Sequence, residues 1–299
     1  MRSKSSITLF RYTSQLAERL HSLGRERTAE TYTAAVKSIM SYMNGADIKL
    51  QKIDSLLISS YEAFLLKRGL KSNTTSFYIR NLRAIYNRAV EENLITDVRP
   101  FRRVYTGVCK TLKRALDSQT IRSIAQFKTS DTSLQMAADL FMFSFFAHGM
   151  AFTDIAYLKW SNIQNGYLVY NRRKTNTQIV VRWEKCMAEI AEKYRTVSSQ
   201  YIFPIIKGTN PRREYLTAAH STNKKLKRIG EILEITIPLT FYVARHSWAS
   251  IAYTKQVPIS VISRAMGHNS ESTTRIYLAS LDNSEVDNAG RLVLRSISF

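Results

Sequence analysis

The 299-residue sequence predicts a mainly α protein in two parts, with a small antiparallel β-sheet in the second part. Three observations predict it. Apolar residues recur at helical spacing through the first hundred residues. Residues 97–116, D-V-R-P-F-R-R-V-Y-T-G-V-C-K-T-L-K-R-A-L, hold Pro100, Gly107 and six basic residues with little periodicity, as a junction does. Asn165-Gly166 is then a turn signal before Tyr167-Leu168-Val169-Tyr170. The polar R-R-K-T-N-T-Q follows, and Ile179-Val180-Val181 resumes strand character, which reads as a hairpin or meander.

Each element has a local reason. Thr28 or Thr31 can open a helix with Tyr32, Val36, Ile39, Met40 and Met43 on one stripe. Ile58 to Lys67 gives a second, with Tyr61, Phe64 and Leu65 inward. K-S-N-T-T supplies a polar start for a third, striped by Tyr78, Leu82, Ile85 and Ala89 and decorated by Lys71, Arg80, Arg83 and Arg88. Beyond Asp117, Ser118 to Ala125 reads as a short helix and Ser133 to Leu158 as one or two mostly buried ones. Further helices are expected at about 184–196, 214–229, 241–254, 258–266 and 272–281.

Charge narrows the function. There are 44 Lys+Arg against 23 Asp+Glu, a net of +21. Residues 1–110 hold 19 basic and 9 acidic side chains, and the remainder 25 and 14, so the excess is not confined to a tail. Such a chain attracts a polyanion along its length; double-stranded DNA or RNA is the expected partner, against the plainer readings of solubility or an acidic membrane surface. Cys109 and Cys186 form neither a disulfide framework nor a zinc pattern, which fits a reduced cytoplasm. The N-terminus lacks a signal-peptide core, and the longest apolar run, Leu140 to Met150, is too short for a membrane span.

Two stretches carry candidate chemistry. In F-Y-V-A-R-H-S-W-A-S, Tyr242 and Arg245 lie at i and i+3 on a predicted helix and share a face. Arginine in this apolar setting needs an anionic partner: a phosphate, whose oxygens match the guanidinium fork, or a structural carboxylate. The second stretch is G-H-N-S-E-S-T-T-R-I-Y-L, Gly267 to Leu278. On one unbroken helix His268 and Tyr277 would face opposite ways. Gly267 is a natural left-handed C-cap, and Ser270 or Ser272 can open a new helix, so the break lets both side chains turn toward one point.

Jointly, Lys174 in R-R-K-T, Arg245 in Y-V-A-R-H, His268 in M-G-H and Tyr277 in T-T-R-I-Y, in this order, resemble the tyrosine recombinase (phage integrase) family. The resemblance covers nearly the whole chain. It implies a helical core-binding, DNA-binding domain over residues 1–105, a basic linker over 106–116, and a catalytic domain over 117–299 ending in a docking tail, Arg291 to Phe299. That tail either packs on its own domain or docks on a neighbouring protomer.

The implied activity is metal-free cutting and rejoining of DNA by a homo-oligomer, a tetramer on paired sites, with accessory DNA-bending proteins, in the bacterial nucleoid. Tyr277 is the implied nucleophile, Arg245 and His268 the phosphate clamp, and Lys174 the proton donor. Tyr242 stands where the family has histidine, which resembles integrases of mobile elements from the Bacteroides group. Lys71, Arg80, Arg83, Arg102, Arg103, Lys113, Arg114, Arg172 and Arg173 are candidate DNA contacts.

One departure stands out. In H-G-M-A-F-T-D, His148 to Asp154, the family's first-box arginine is missing: its two candidate positions hold His148 and Ala151. His148, Arg172 or Arg173 compensates, or the chain is a weak or non-cutting DNA-binding relative.

Overall fold

The computed structural model describes residues 7–109, 115–197, 199–208 and 210–278, with 291 and 294; of Ile276 and Tyr277 it describes the backbone alone. The chain divides into two compact units, residues 1–111 and 112–299.

The first unit is helical: α1 (Leu9–Ser22), α2 (Glu26–Tyr42), α3 (Ser55–Lys67) and α4 (Ser72–Glu91). Helix α1 is additional to the elements expected from sequence. It forms because Leu9, Tyr12, Leu16 and Leu20 recur at helical spacing and are buried against α2. Tyr32, Val36 and Ile39 of α2, Tyr61 and Leu65 of α3, and Leu82, Ile85 and Ala89 of α4 complete the core along the predicted stripes. Asp54 caps α3 by accepting from the Leu57 N–H.

The segment after α4 is fastened to this unit. The Tyr105 N–H donates to Glu62, the Ser76 hydroxyl to the Gly107 carbonyl, and the Cys109 N–H to Asn73. Residues 106–109, expected as part of a connector, are thus hydrogen-bonded to α4. Lys113 and Arg114 lie outside the described residues.

The second unit begins with α5 (Ser118–Gln126), α6 (Thr132–Phe146) and α7 (Phe152–Ala156). A three-stranded antiparallel sheet follows, β1 (Ile163–Gln164), β2 (Tyr167–Asn171) and β3 (Gln178–Arg182), in the order β1-β2-β3. Leu168 pairs with Val181 and Tyr170 with Ile179; these four are buried on one face, as a period of two requires. The chain closes with α8 (Lys185–Lys193), α9 (Pro211–Ile232), α10 (Phe241–Thr254), α11 (Ile259–Ala265) and α12 (Glu271–Leu278). Helix α9 starts three residues before the expected position, because Pro211 occupies its first turn and Asn210 caps it. Phe141 and Phe143 of α6 sit at the centre of the large core, and Val243 and Ala244 of α10 pack into it. No described helix is long and apolar enough to cross a membrane.

Candidate active site

The break between α11 and α12 has a defined geometry. Gly267 has φ +62°; its N–H donates to the Arg264 carbonyl and the His268 N–H to the Ser263 carbonyl. These are the two bonds of a Schellman motif. A β-carbon at Gly267 would stand 2.7 Å from Ile179 Cδ1 and 3.2 Å from Arg172 Cδ, so the corner sits directly on the β2–β3 hairpin.

Arg245, on α10, is 5% exposed and reaches two distant chain segments. Its Nη1 donates to the Gly149 carbonyl at 2.8 Å, and its Nη2 to the Met266 carbonyl at 2.5 Å. Nη2 also lies 3.1 Å from His268 Nε2. A guanidinium only donates, so Nε2 accepts, and Nδ1 carries the proton it gives to Thr274 Oγ1 at 2.8 Å. The fit with Gly149 is tight: φ is +72°, and a β-carbon there would stand 2.7 Å from Arg245 Cα. Glycine lets the first-box backbone approach α10 closely.

Arg172 lies at the end of β2 and is 8% exposed. Its Nη1 donates to the Gly267 carbonyl at 2.8 Å, next along the chain from the carbonyl that Arg245 holds. Burial and the positive charges of Arg245, Arg172, Lys174 and His246 push the His268 imidazole down to about 4, so it is neutral at pH 7. Lys174 is exposed in the same hairpin loop and contributes to that field.

Asp154 organises the loop. Buried on α7, it accepts the Arg173 N–H at 2.9 Å, and burial raises its pKa against the lowering pull of Arg172, Arg245 and Arg173. The Arg173 guanidinium stands 3.9 Å over the Tyr157 ring.

The His148 ring packs 4.8 Å from the Trp248 ring, its Nδ1 is buried with no hydrogen-bond partner among the described residues, and burial lowers its pKa. Tyr242 is 51% exposed on the first turn of α10, edge-on to His246. Tyr277 belongs to α12, and its side chain is outside the described residues. In the first unit Lys71, Arg83, Arg102 and Arg103 are exposed; Arg80 bonds back to the Ser76 carbonyl, and Arg83 to Thr106 Oγ1.

Two features were not anticipated. Thr274 is fully buried as the partner of His268, a role its place in the Thr-Thr of the final box could have signalled. Helix α9 carries Arg212, Arg213, Lys224, Lys225, Lys227 and Arg228 against Glu214 and Glu231, a basic run legible in the sequence.

A mainly helical unit with a three-stranded antiparallel sheet, and arginine, lysine and histidine gathered where that sheet meets a Gly-His corner, defines a fold class with a cationic cluster. The model of the phage integrase family matches residues 114–284, and that of the phage integrase SAM-like domain matches residues 8–106. The chain belongs to the phage integrase family. It is 19% identical over 262 residues to the tyrosine recombinase XerD of Pseudomonas aeruginosa, covering 84% of this chain and 86% of that one. It is 23% identical over 273 residues to a tyrosine recombinase of Pseudothermotoga lettingae, covering 90% and 92%.

Among solved structures, a lambda integrase tetramer bound to a Holliday junction aligns with TM-score 0.68 at 20% identity, over 92% of this chain and 78% of that one. The XerH recombinase bound to a palindromic difH substrate, in a post-cleavage complex, aligns with TM-score 0.67 at 18% identity, over 92% and 84%. These likenesses extend the family's fold to both units.

Proposed function

We propose that this chain is a site-specific DNA recombinase that cuts and rejoins double-stranded DNA through a 3′-phosphotyrosyl intermediate. The observation that carries the reading is the convergence of Arg245, His268 and the Arg172–Lys174 hairpin on one corner, nine residues before Tyr277. The Tyr277 oxygen attacks the scissile phosphorus, forming a P–O bond to tyrosine as the bond to the 5′-oxygen breaks. The phenol proton is lost to solvent, favoured by the cationic site, and Lys174 gives a proton to the departing 5′-oxygen. A 5′-hydroxyl of a partner strand then attacks, releasing Tyr277 and resealing the backbone without ATP.

Fixed cations stabilise the charge that grows on the non-bridging oxygens. Arg245 is held by two carbonyls, so it does not reorganise when that charge develops. His268 starts neutral, and a bound phosphate draws a proton onto it, making it a donor. Tyr242, exposed on the rim, orients the phosphate. Lys71, Arg80, Arg83, Arg102, Arg103, Lys113, Arg114 and Arg173 contact the duplex backbone.

The DNA-bound dimers and tetramers among the structural neighbours support a homotetramer on paired sites. Tyr242 in the second box supports a mobile-element integrase of the Bacteroides type, with accessory DNA-bending proteins. The missing first-box arginine favours a second reading, a relative that binds without cutting.

A nicked duplex carrying candidate sites from the DNA flanking the gene separates the two. Wild type should form a covalent protein–DNA adduct that Tyr277→Phe abolishes while binding persists. Tight, site-specific binding with no adduct would establish the second reading.

A further inference from the structure

We propose that Arg172 is the second guanidinium of the phosphate clamp, supplied by the β2–β3 hairpin in place of the arginine that the first box lacks. The proposal rests on the recombinase reading and adds a residue to its site. Three candidates could compensate, and the geometry separates them. His148 packs its ring on Trp248 and buries Nδ1 with no partner among the described residues. Arg173 lies over the Tyr157 ring, its side chain exposed and its N–H held by Asp154. Arg172 alone of the three is buried against the His268 corner.

The placement is specific. Arg245 holds the Met266 carbonyl and Arg172 the Gly267 carbonyl, so two guanidiniums grip consecutive peptide units immediately before His268. Arg172 uses one donor there, and its Nε is buried without a hydrogen-bond partner among the described residues. A guanidinium has five N–H donors, so capacity remains for a bidentate contact. Its backbone also closes the Lys174 loop: Arg172 N–H donates to the Thr177 carbonyl, and its own carbonyl accepts from Thr175 and Asn176. The clamp and the proposed proton donor are therefore two residues apart on one hairpin.

Charge points the same way. Among the described residues Asp154 is the one buried carboxylate, and it faces Arg172, Arg245 and Arg173 together. Among the described residues Arg172 meets a carbonyl and no carboxylate at salt-bridge distance, and a buried guanidinium is costly without an anion. A phosphodiester entering the pocket supplies that anion.

Two arms on the full-length protein test this. The first compares adduct formation by wild type, Arg172→Ala and Arg172→Lys. It uses a nicked duplex with its native scissile phosphate and the same duplex with a methylphosphonate there, which lacks the anionic oxygen. Removing one preorganised donor should slow Arg172→Ala by about 10²–10³ on the native substrate. On the methylphosphonate the gap should narrow to a few-fold, with Arg172→Lys intermediate on the native one. An equal loss on both substrates would assign Arg172 to the fold alone, and no loss on the native one would remove it from the clamp.

The second arm needs no cleavage. Inorganic phosphate is titrated into the free protein and the His268 imidazole followed by NMR. Wild type should respond, and Arg172→Lys and Arg172→Ala should need roughly tenfold more phosphate or beyond, as expected when a hydrogen bond to a charged group is removed. Equal responses in all three would overturn the proposal. A phosphate response weakened in the variants, with no wild-type adduct on any site, would leave the clamp standing and defeat the recombinase reading instead.

Discussion

Arg245 and His268, 23 residues apart, share a hydrogen bond of 3.1 Å in which the arginine donates and the imidazole must accept. The bond exists only while His268 is neutral, so it ties the pocket to pH. In the fold His268 titrates near 4, against 6.5 for the free side chain. Between those values the unfolded chain binds a proton that the folded chain refuses. Stability is therefore highest above about pH 6.5 and falls as pH drops toward 4. Urea midpoints measured from pH 7 to pH 4 should decline, and His268→Gln should flatten part of that decline. His148, pushed down by burial, acts in the same direction, so His148→Gln should flatten another part. A profile of His268→Gln parallel to wild type would show that the imidazole is not held neutral.

The two glycines of the pocket should not tolerate alanine equally. At Gly267 the added methyl meets the flexible end of Ile179, so the main cost is the left-handed backbone, about 1–2 kcal/mol. At Gly149 the methyl meets the Arg245 backbone at 2.7 Å, which adds about 1–3 kcal/mol of overpacking to the same strain. Gly149→Ala should lower the urea midpoint more than Gly267→Ala. The reverse order would mean that the first-box backbone and α10 can part enough to admit a methyl group.

If Lys174 protonates the departing oxygen, its removal should depend on the leaving group. Lys174→Ala should cut slowly a duplex with an ordinary 5′-oxygen. Replacing that bridging oxygen with sulfur, which leaves without a proton, should restore cleavage to within a few-fold of wild type. A defect that persists with sulfur would assign Lys174 a binding role instead.

Duplex binding should be steeply salt-dependent. Removing one cation that neutralises a phosphate should reduce the slope of log K against log salt by about 0.9. Arg102→Ala and Arg103→Ala, both exposed in the first unit, should each do so and leave urea stability unchanged. In the second unit, Lys224→Ala and Arg228→Ala test whether the basic face of α9 also tracks DNA. Unchanged slopes for the α9 pair would mark that face as solvated only.

Local rules carried much of the fold. Helical spacing marked α2, α3 and α4, although α1 went unread despite its Leu9–Tyr12–Leu16–Leu20 stripe. The Asn165-Gly166 turn and the flanking alternation gave the sheet. Gly267 announced the corner, because glycine adopts the positive φ of such a helix end without strain. The order of Lys174, Arg245, His268 and Tyr277 gave the family, and the charge of +21 gave the expectation of a polyanionic partner.

Tertiary structure decided what each side chain meets. Nothing within a few residues of Arg245 says that its donors end on Gly149, 96 residues away, and on Met266. Nor does local sequence separate buried Arg172 from exposed Arg173, adjacent residues at the end of one strand. Spacing and turn chemistry act over a few residues and can be read along the chain. Burial, a shifted pKa and a shared acceptor arise where distant segments pack, and exist only once the fold has closed around them.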